Sequence, residues 1–343
     1  MAHRNSPLLI HVGLHKTGST AIQHALQVAG LRSPLRRIED MNATRAGEAR
    51  DRGDVISSES LLGAMRTLYA DASERIRRLA SFGLPLHIVL FVRPIIEWHE
   101  SMYVQRIQEG DAISPSEYMD AVRGLEFFRV SRLLDALLEL EPNHRISILP
   151  YSSNVVRDFA RVSGLGISEV RRSSNRSMPP ARAVFASQIN GLPAFEAKRT
   201  LRAVLQHEIP AMHPRAETTV FSANDLAAFE PATKDWLANV VPKVSFSAGG
   251  GHQDAASRRP VNRDDVLAEA LAVAAHLISA EELRRTGTPM RPLRSLRNNV
   301  RKRLTSRFTR RIVANLRRRA MAIESSSAWQ RLTQGHDCRR RRP

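Results

Sequence analysis

A chain of 343 residues, 42% of them hydrophobic, can hold one substantial α/β core plus an appendage, since domains commonly span about 100 to 200 residues. Its formal net charge of +18 is concentrated at one end: from Arg284 to Pro343 nineteen Lys and Arg meet only Glu324 and Asp337, which separates a near-neutral body from a basic arm. Cys338 as the sole cysteine excludes an intrachain disulfide framework. The first strand begins with no charged leader ahead of it, and the longest apolar stretch, residues 267–278, is broken by Glu269 and His276, so a cytoplasmic protein with neither a secretory signal nor a spanning helix is expected.

The first expected element is a strand over 8–12, which opens into Gly13-Leu14-His15-Lys16-Thr17-Gly18-Ser19-Thr20 and a helix over 20–29. Backbone N–H groups at a helix start have no intrahelical partners and sit at the positive end of the dipole. Beside a Lys and hydroxyls they make a cradle for a phosphoryl or sulfonyl anion. Gly13 and Gly18 have the spacing of a Walker A loop, yet Ser19 holds the position of its Lys and Lys16 stands three residues earlier, which disfavours an ordinary ATP or GTP hydrolase.

A short strand over 55–57 follows, with Glu59 at its end and helices over 59–69 and 72–82. Ser57, Ser58 and Glu59 also suit a helix start, so a capping role for Glu59 stands beside any chemical one. The strand expected over 87–92, with its apolar run from Ile88 to Val92, reads as a parallel strand buried on both faces, with Arg93 at its end before a helix over 95–108. Ligands of α/β sheets bind outside the carboxyl ends of strands, where a planar guanidinium can grip a phosphate through two parallel hydrogen bonds. Ser101 lies eight positions after Arg93, with Tyr103 two beyond it.

Lys16-Thr17-Gly18-Ser19-Thr20, and Arg93 with Ser101 and Tyr103, resemble the two nucleotide-binding motifs of sulfotransferases that use 3′-phosphoadenosine-5′-phosphosulfate (PAPS): a Lys-Thr-Gly-Thr/Ser-Thr turn and an Arg-x-Pro-x-x-x-x-x-Ser-x-Tyr run. The resemblance covers roughly residues 5–245. Two features depart from the family pattern, Pro94 standing one place early and Trp98 occupying a position where many relatives carry a basic residue. The resemblance implies a P-loop NTPase-like parallel sheet flanked by helices, and transfer of a sulfonyl group from PAPS to a hydroxyl or amine of a saccharide or glycolipid, leaving 3′,5′-phosphoadenosine (PAP). It places His15, Lys16, Thr17, Gly18, Ser19 and Thr20 around the 5′-phosphosulfate and Arg93 and Ser101 on the 3′-phosphate. Lys16 would neutralise charge growing on the phosphosulfate bridge. A base must take the acceptor's proton, and a partly desolvated carboxylate serves. Glu59 falls where many carbohydrate sulfotransferases carry a catalytic acid, and His15 is the alternative. No ligand cluster at metal spacing appears, so no metal is expected. A kinase with a degenerate loop, or a catalytically silent homologue that binds polyanions through the arm, are the rival readings.

Further along, helices are expected over 114–122 and 128–140, the second with an apolar stripe of Val130, Leu133, Leu134 and Leu137. A strand over 145–150 and a helix over 155–163 follow. Strands alternating with helices imply parallel βαβ units. The Asn175-Arg176-Ser177 turn reads as a solvated loop, or as a lid with Arg171, Arg172 or Arg176 reaching the nucleotide. A last body helix is expected over 224–240, then a linker over 246–263 around Gly249-Gly250-Gly251. The arm, 264–343, opens with a helix over 264–284. In its second helical stretch Leu293, Leu296, Val300, Leu304 and Phe308 share an arc of about 120° amid Arg on nearly every side. That pattern suits an anionic membrane surface better than nucleic acid, for which stacking aromatics are sparse, while a disordered tail is the plain alternative for Arg339 to Arg342.

Overall fold

The computed structural model describes residues 6–125, 128–140, 143–168, 178–191, 218–243, 258–262, 264–266, 268–269 and 272–273. Its centre is a four-stranded, wholly parallel sheet in the order β2-β1-β3-β4, formed by β1 (Leu8–Val12), β2 (Ile56–Ser58), β3 (Leu86–Val92) and β4 (Arg145–Pro150). Every residue of β3 is buried, which is why that strand is an unbroken apolar run with one His.

Side chains alternate across the sheet. Leu8, Ile10 and Val12 of β1 with Ile88, Leu90 and Val92 of β3 enter the larger core, while Val89 and Phe91 join Ile22, Leu26, Val155 and Phe159 on the opposite face. That second face is covered by α1 (Ser19–Val28) and α7 (Val155–Ser163). The first is covered by α2 (Ala43–Arg52), α3 (Ala72–Ala80), α4 (Ile95–Glu109), α5 (Pro115–Val122), α6 (Val130–Leu138) and α8 (Pro180–Asn190). The fold is therefore α/β, a parallel sheet flanked by helices. From β1 the chain moves to β2 on one side and returns, after α3, to β3 on the other. The crevice beyond the tips of β1 and β3 is thus the point where strand order reverses.

Three local expectations change. The segment 59–69 is a series of turns ending in a 3-10 turn at Met65–Thr67, and no α-helix forms there. Gly63 (φ 119°), Leu68 (φ 44°) and Tyr69 (φ 59°) all adopt positive φ, which an α-helix cannot contain. Glu59 consequently caps no helix. Two helices were not anticipated: α2, whose buried residues are only Ala46 and Ala49, and α8. Residues 223–240 form the short helices Ala223–Ala228 and Glu230–Asp235 and a π-turn at Trp236–Val240 instead of one helix.

Described residues that the expected linker and arm contain, from 258 to 273, pack against the body. Arg259–Pro260 pairs in parallel with Thr218–Thr219, and Arg258 places its Nη1 2.8 Å from Oε2 of the fully buried Glu100 on α4, whose Oε1 accepts from the Val220 N–H. Glu269, fully buried, accepts from Arg182 Nε on α8 at 2.9 Å, and Val273 reaches the core. The Glu that interrupts an apolar stretch in the sequence is thus half of a buried ion pair. The Asn175 turn and the arm beyond 273, Cys338 included, lie outside the described residues. No helix among the described residues is long and apolar enough to cross a membrane.

Candidate functional site

The β1 tip continues through Gly13, whose N–H donates to the Ser58 carbonyl on β2. A Cβ at Gly13 would collide with the Ser19 side chain, so only glycine lets the returning helix approach. The loop is held from within. The Thr17 hydroxyl donates to the Leu14 carbonyl at 2.6 Å, and the Thr17 N–H reaches the same oxygen at 3.3 Å. Lys16 has φ 66°, left-handed backbone that costs a non-glycine residue about 1–2 kcal/mol. Gly18 (φ 85°) caps α1 without a side-chain hydrogen bond, and a Cβ there would meet Val155 at 2.8 Å and the Tyr151 ring at 3.2 Å. The first turn of α1 contains no acid, and the N–H groups of Gly18, Ser19 and Thr20 have no intrahelical acceptor. Thr20 is exposed. Ser19 is buried with its hydroxyl in no hydrogen bond of good geometry, packed over Gly13 on the side of Glu59.

Arg93 follows β3 directly. Its Nη1 donates to the Lys16 carbonyl at 3.0 Å and to Ser101 Oγ at 3.1 Å, its Nη2 lies 3.7 Å from Glu97, and its Cζ sits 4.4 Å above the Tyr151 ring. The eight-residue spacing works because α4 begins at once after Pro94 and brings Ser101 back beneath the guanidinium. Both motifs thus meet at the β1–β3 crevice.

Glu59 follows the β2 tip, with its Oε2 3.7 Å from His15 Nε2. Burial raises its pKa above the ordinary carboxylate value, opposed by the charge of Lys16 and by the nearby Ser19 hydroxyl. Burial lowers His15 to about 4, with Glu109 pulling upward and Lys16 downward, so the imidazole is neutral at pH 7. Tyr69 and Trp98, to which the sequence assigned no role in the site, hold His15. The His15 N–H donates to Tyr69 Oη at 2.8 Å, that oxygen lies 2.7 Å from His15 Nδ1, and Trp98 Nε1 donates to the His15 carbonyl at 3.2 Å. Trp98 occupies the position where the resemblance leads one to expect a basic residue. Its indole is spent on the loop.

Beside His15 opens a cleft of about 440 Å³, within the size range of small-molecule pockets, lined by Arg37, Glu39, Ser60, Arg66, Arg75 and Glu109 along with Gly63, Ala64 and Met65. Two of its three guanidiniums are set by carboxylates: Arg75 by Asp71 and Glu39 at 2.5 and 2.9 Å, Arg66 by Asp111 and Glu109 at 2.9 and 3.6 Å. Such a wall alternates donors and acceptors without a dominant charge. Nothing in the sequence marked these residues, because they come from the turns of 59–69, the 3-10 turn at Ile38–Asp40, α3 and the end of α4. Comparisons of the chain with known protein families, with curated proteins and with solved structures find no match.

Proposed function

We propose that the chain is a sulfotransferase that moves the sulfonyl group of PAPS to a hydroxyl, or an amine, of a polar acceptor such as a saccharide seated in the cleft beside His15. The observation that carries this reading is the hydrogen bond from Arg93 to the Lys16 carbonyl, which joins two motifs 77 residues apart into one anion-binding crevice. The residues fit a bisphosphorylated nucleotide. The acid-free first turn of α1 and Lys16 offer donors and charge for a 5′-phosphosulfate, while Arg93, with Ser101 beneath it, offers a planar cation for a 3′-phosphate.

PAPS supplies the electrophilic sulfur and the leaving group. The acceptor oxygen forms the new bond to sulfur as the bond from sulfur to the bridging phosphate oxygen breaks, and PAP leaves. Glu59, made more basic by burial, takes the acceptor's proton. Lys16 stabilises the negative charge that gathers on the bridging oxygen, an effect strongest where water is excluded. The donors and acceptors of the cleft suit a neutral polyhydroxylated molecule, which Arg66 and Arg75, already oriented by carboxylates, can hold without a net charge of its own.

Calorimetric titration with PAP, 5′-AMP and ATP tests the assignment. PAP should bind at least about tenfold more tightly than either competitor, the scale of one charge-assisted phosphate contact. Equal affinities, or preference for ATP, would replace sulfonyl transfer with the kinase alternative.

A further inference from the structure

We infer that His15 is locked by Tyr69 and Trp98 as the Nε2–H tautomer and turns a fixed N–H dipole toward Glu59, making it a positioning residue and leaving Glu59 alone as the base. What Glu59 does rests on the sulfonyl-transfer reading. The tautomer rests on hydrogen bonding alone.

Tyr69 Oη accepts the His15 backbone N–H at 2.8 Å, and the same oxygen stands 2.7 Å from His15 Nδ1. A phenol carries one proton. Tyr69 is fully buried, and among the described residues its hydroxyl meets no acceptor other than Nδ1. A buried hydroxyl proton left without an acceptor is strongly unfavourable, so the Tyr69 O–H donates to Nδ1, which must then carry the lone pair. In a neutral imidazole the proton accordingly sits on Nε2. The far side of the ring agrees, because Nε2 lies 3.7 Å from Glu59 Oε2. An N–H turned to a carboxylate attracts it, whereas a lone pair there would repel it.

The imidazole stays neutral in the folded chain because it is buried, with Glu59, Glu109, Lys16 and Tyr69 around it and Arg37, Arg66 and Arg75 across the cleft. Trp98 completes the clamp. Its Nε1–H holds the His15 carbonyl, and its ring lies nearly parallel to Tyr69, centroids 6.2 Å apart at 10°. The peptide groups on both sides of His15 are thereby fixed, and with them the direction of Nε2–H. A nitrogen that already bears a proton takes none from the acceptor. Instead its dipole draws Oε2 of Glu59 from 3.7 Å and leaves the other carboxylate oxygen to receive that proton.

Long-range 1H–15N spectra of the ligand-free protein read the tautomer directly, with His15→Gln used to assign its signals among the twelve histidines. The expected pattern is a lone-pair Nδ1 and a protonated Nε2, unchanged from about pH 8 to about pH 6. A reversed pattern, or an imidazolium in that range, overturns the inference. Tyr69→Phe, which keeps the ring, should give a mixture of tautomers, and an unchanged single tautomer would count against the clamp. Should that variant fold poorly, a second comparison decides. The amide nitrogen of Gln at position 15 reaches the Nε2 place, that of Asn only the Nδ1 place. With PAPS and monosaccharide acceptors, His15→Gln should keep PAP release within about tenfold of the parent, while His15→Asn loses about a hundredfold or more. Equal losses would make His15 the base. PAP titration on the same samples keeps the two ideas apart, because a protein with the expected spectrum and no PAP affinity refutes only the sulfotransferase reading.

Discussion

Arg93 donates to the backbone carbonyl of Lys16 across the boundary between β3 and β1, at 3.0 Å. The residue proposed to grip one end of the nucleotide therefore also shapes the loop proposed to grip the other. Arg93→Gln should lower PAP affinity by about 10- to 100-fold, the range for a charge-assisted hydrogen bond, and 5′-AMP affinity by less but measurably, because the loop loosens. Titration calorimetry of both ligands checks this. Unchanged 5′-AMP affinity would mean that the bond to Lys16 carries no organising role.

Lys16 stands at φ 66°, where glycine is at ease and other residues are strained. Lys16→Gly should thus be as stable as the parent or up to about 1 kcal/mol more stable, while Lys16→Ala, which keeps the strain, should gain nothing. Both should lose PAPS turnover. Urea midpoints and initial rates measured side by side decide the matter, and a Gly variant with full activity would remove the ammonium from the mechanism.

Glu59→Gln should reduce turnover by about 10² to 10⁴ and leave PAP affinity nearly intact. In the parent the rate should climb with pH through an ionisation above the ordinary carboxylate range, because burial holds Glu59 protonated longer than in water and only its ionised form accepts a proton. A rate profile flat throughout the acid range would place the base elsewhere.

Four histidines make the fold sensitive to acid. Burial lowers His15 and His87 to about 4 and His11 and His99 to about 3, against 6.5 in an unfolded chain. Between those values the unfolded chain binds more protons than the folded one, so stability rises with pH across the window and is lost as pH falls from about 6.5 toward 3 to 4. The denaturant midpoint should drop between about pH 7 and about pH 5, with proton uptake on unfolding at pH 5 approaching about one per histidine. A midpoint insensitive to pH over that interval would contradict the burial of these rings.

The pair Arg182–Glu269 offers a test of where the body ends. Arg182→Met should destabilise by about 3–5 kcal/mol by stripping a buried carboxylate of this partner, and adding Glu269→Leu should recover much of the loss. A chain stopped at 263 should therefore fold poorly, whereas one stopped near Gly287 should fold and lose only the salt-sensitive liposome binding expected of the basic arm. Equal stability of the two truncated chains would show that Glu269 contributes nothing.

The parts of this molecule legible in its sequence are those fixed by neighbours in the chain. β1 and β3 are apolar runs because both sheet faces are covered, and the turn from Lys16 to Thr20 announces itself through its glycine spacing and hydroxyls. Arg93 and Ser101 come together because one helix supplies the interval. What escaped depends on distant partners or on backbone that apolar spacing does not reveal. Leu61, Leu62, Met65, Leu68 and Tyr69 are all buried at intervals that imitate a helix, yet three positive φ values turn the segment into the wall of a cleft. α2 buries only alanines and so shows no stripe. The hold of Tyr69 on His15 spans 54 residues, and that of Arg182 on Glu269 spans 87.

The union of Glu100 with Arg258 bears on how the protein is made. Glu100 adjoins Ser101 on the helix that carries Trp98, yet its guanidinium partner is synthesised 158 residues later. Until the ribosome has delivered that arginine, closing α4 onto the sheet would trap an ionised carboxylate in oil-like surroundings with part of its solvation unreplaced. Chains stalled short of residue 258 should stay open to protease along α4, and resistance should set in only once that stretch clears the exit tunnel, so the crevice between β1 and β3 matures after translation has passed its own coding region.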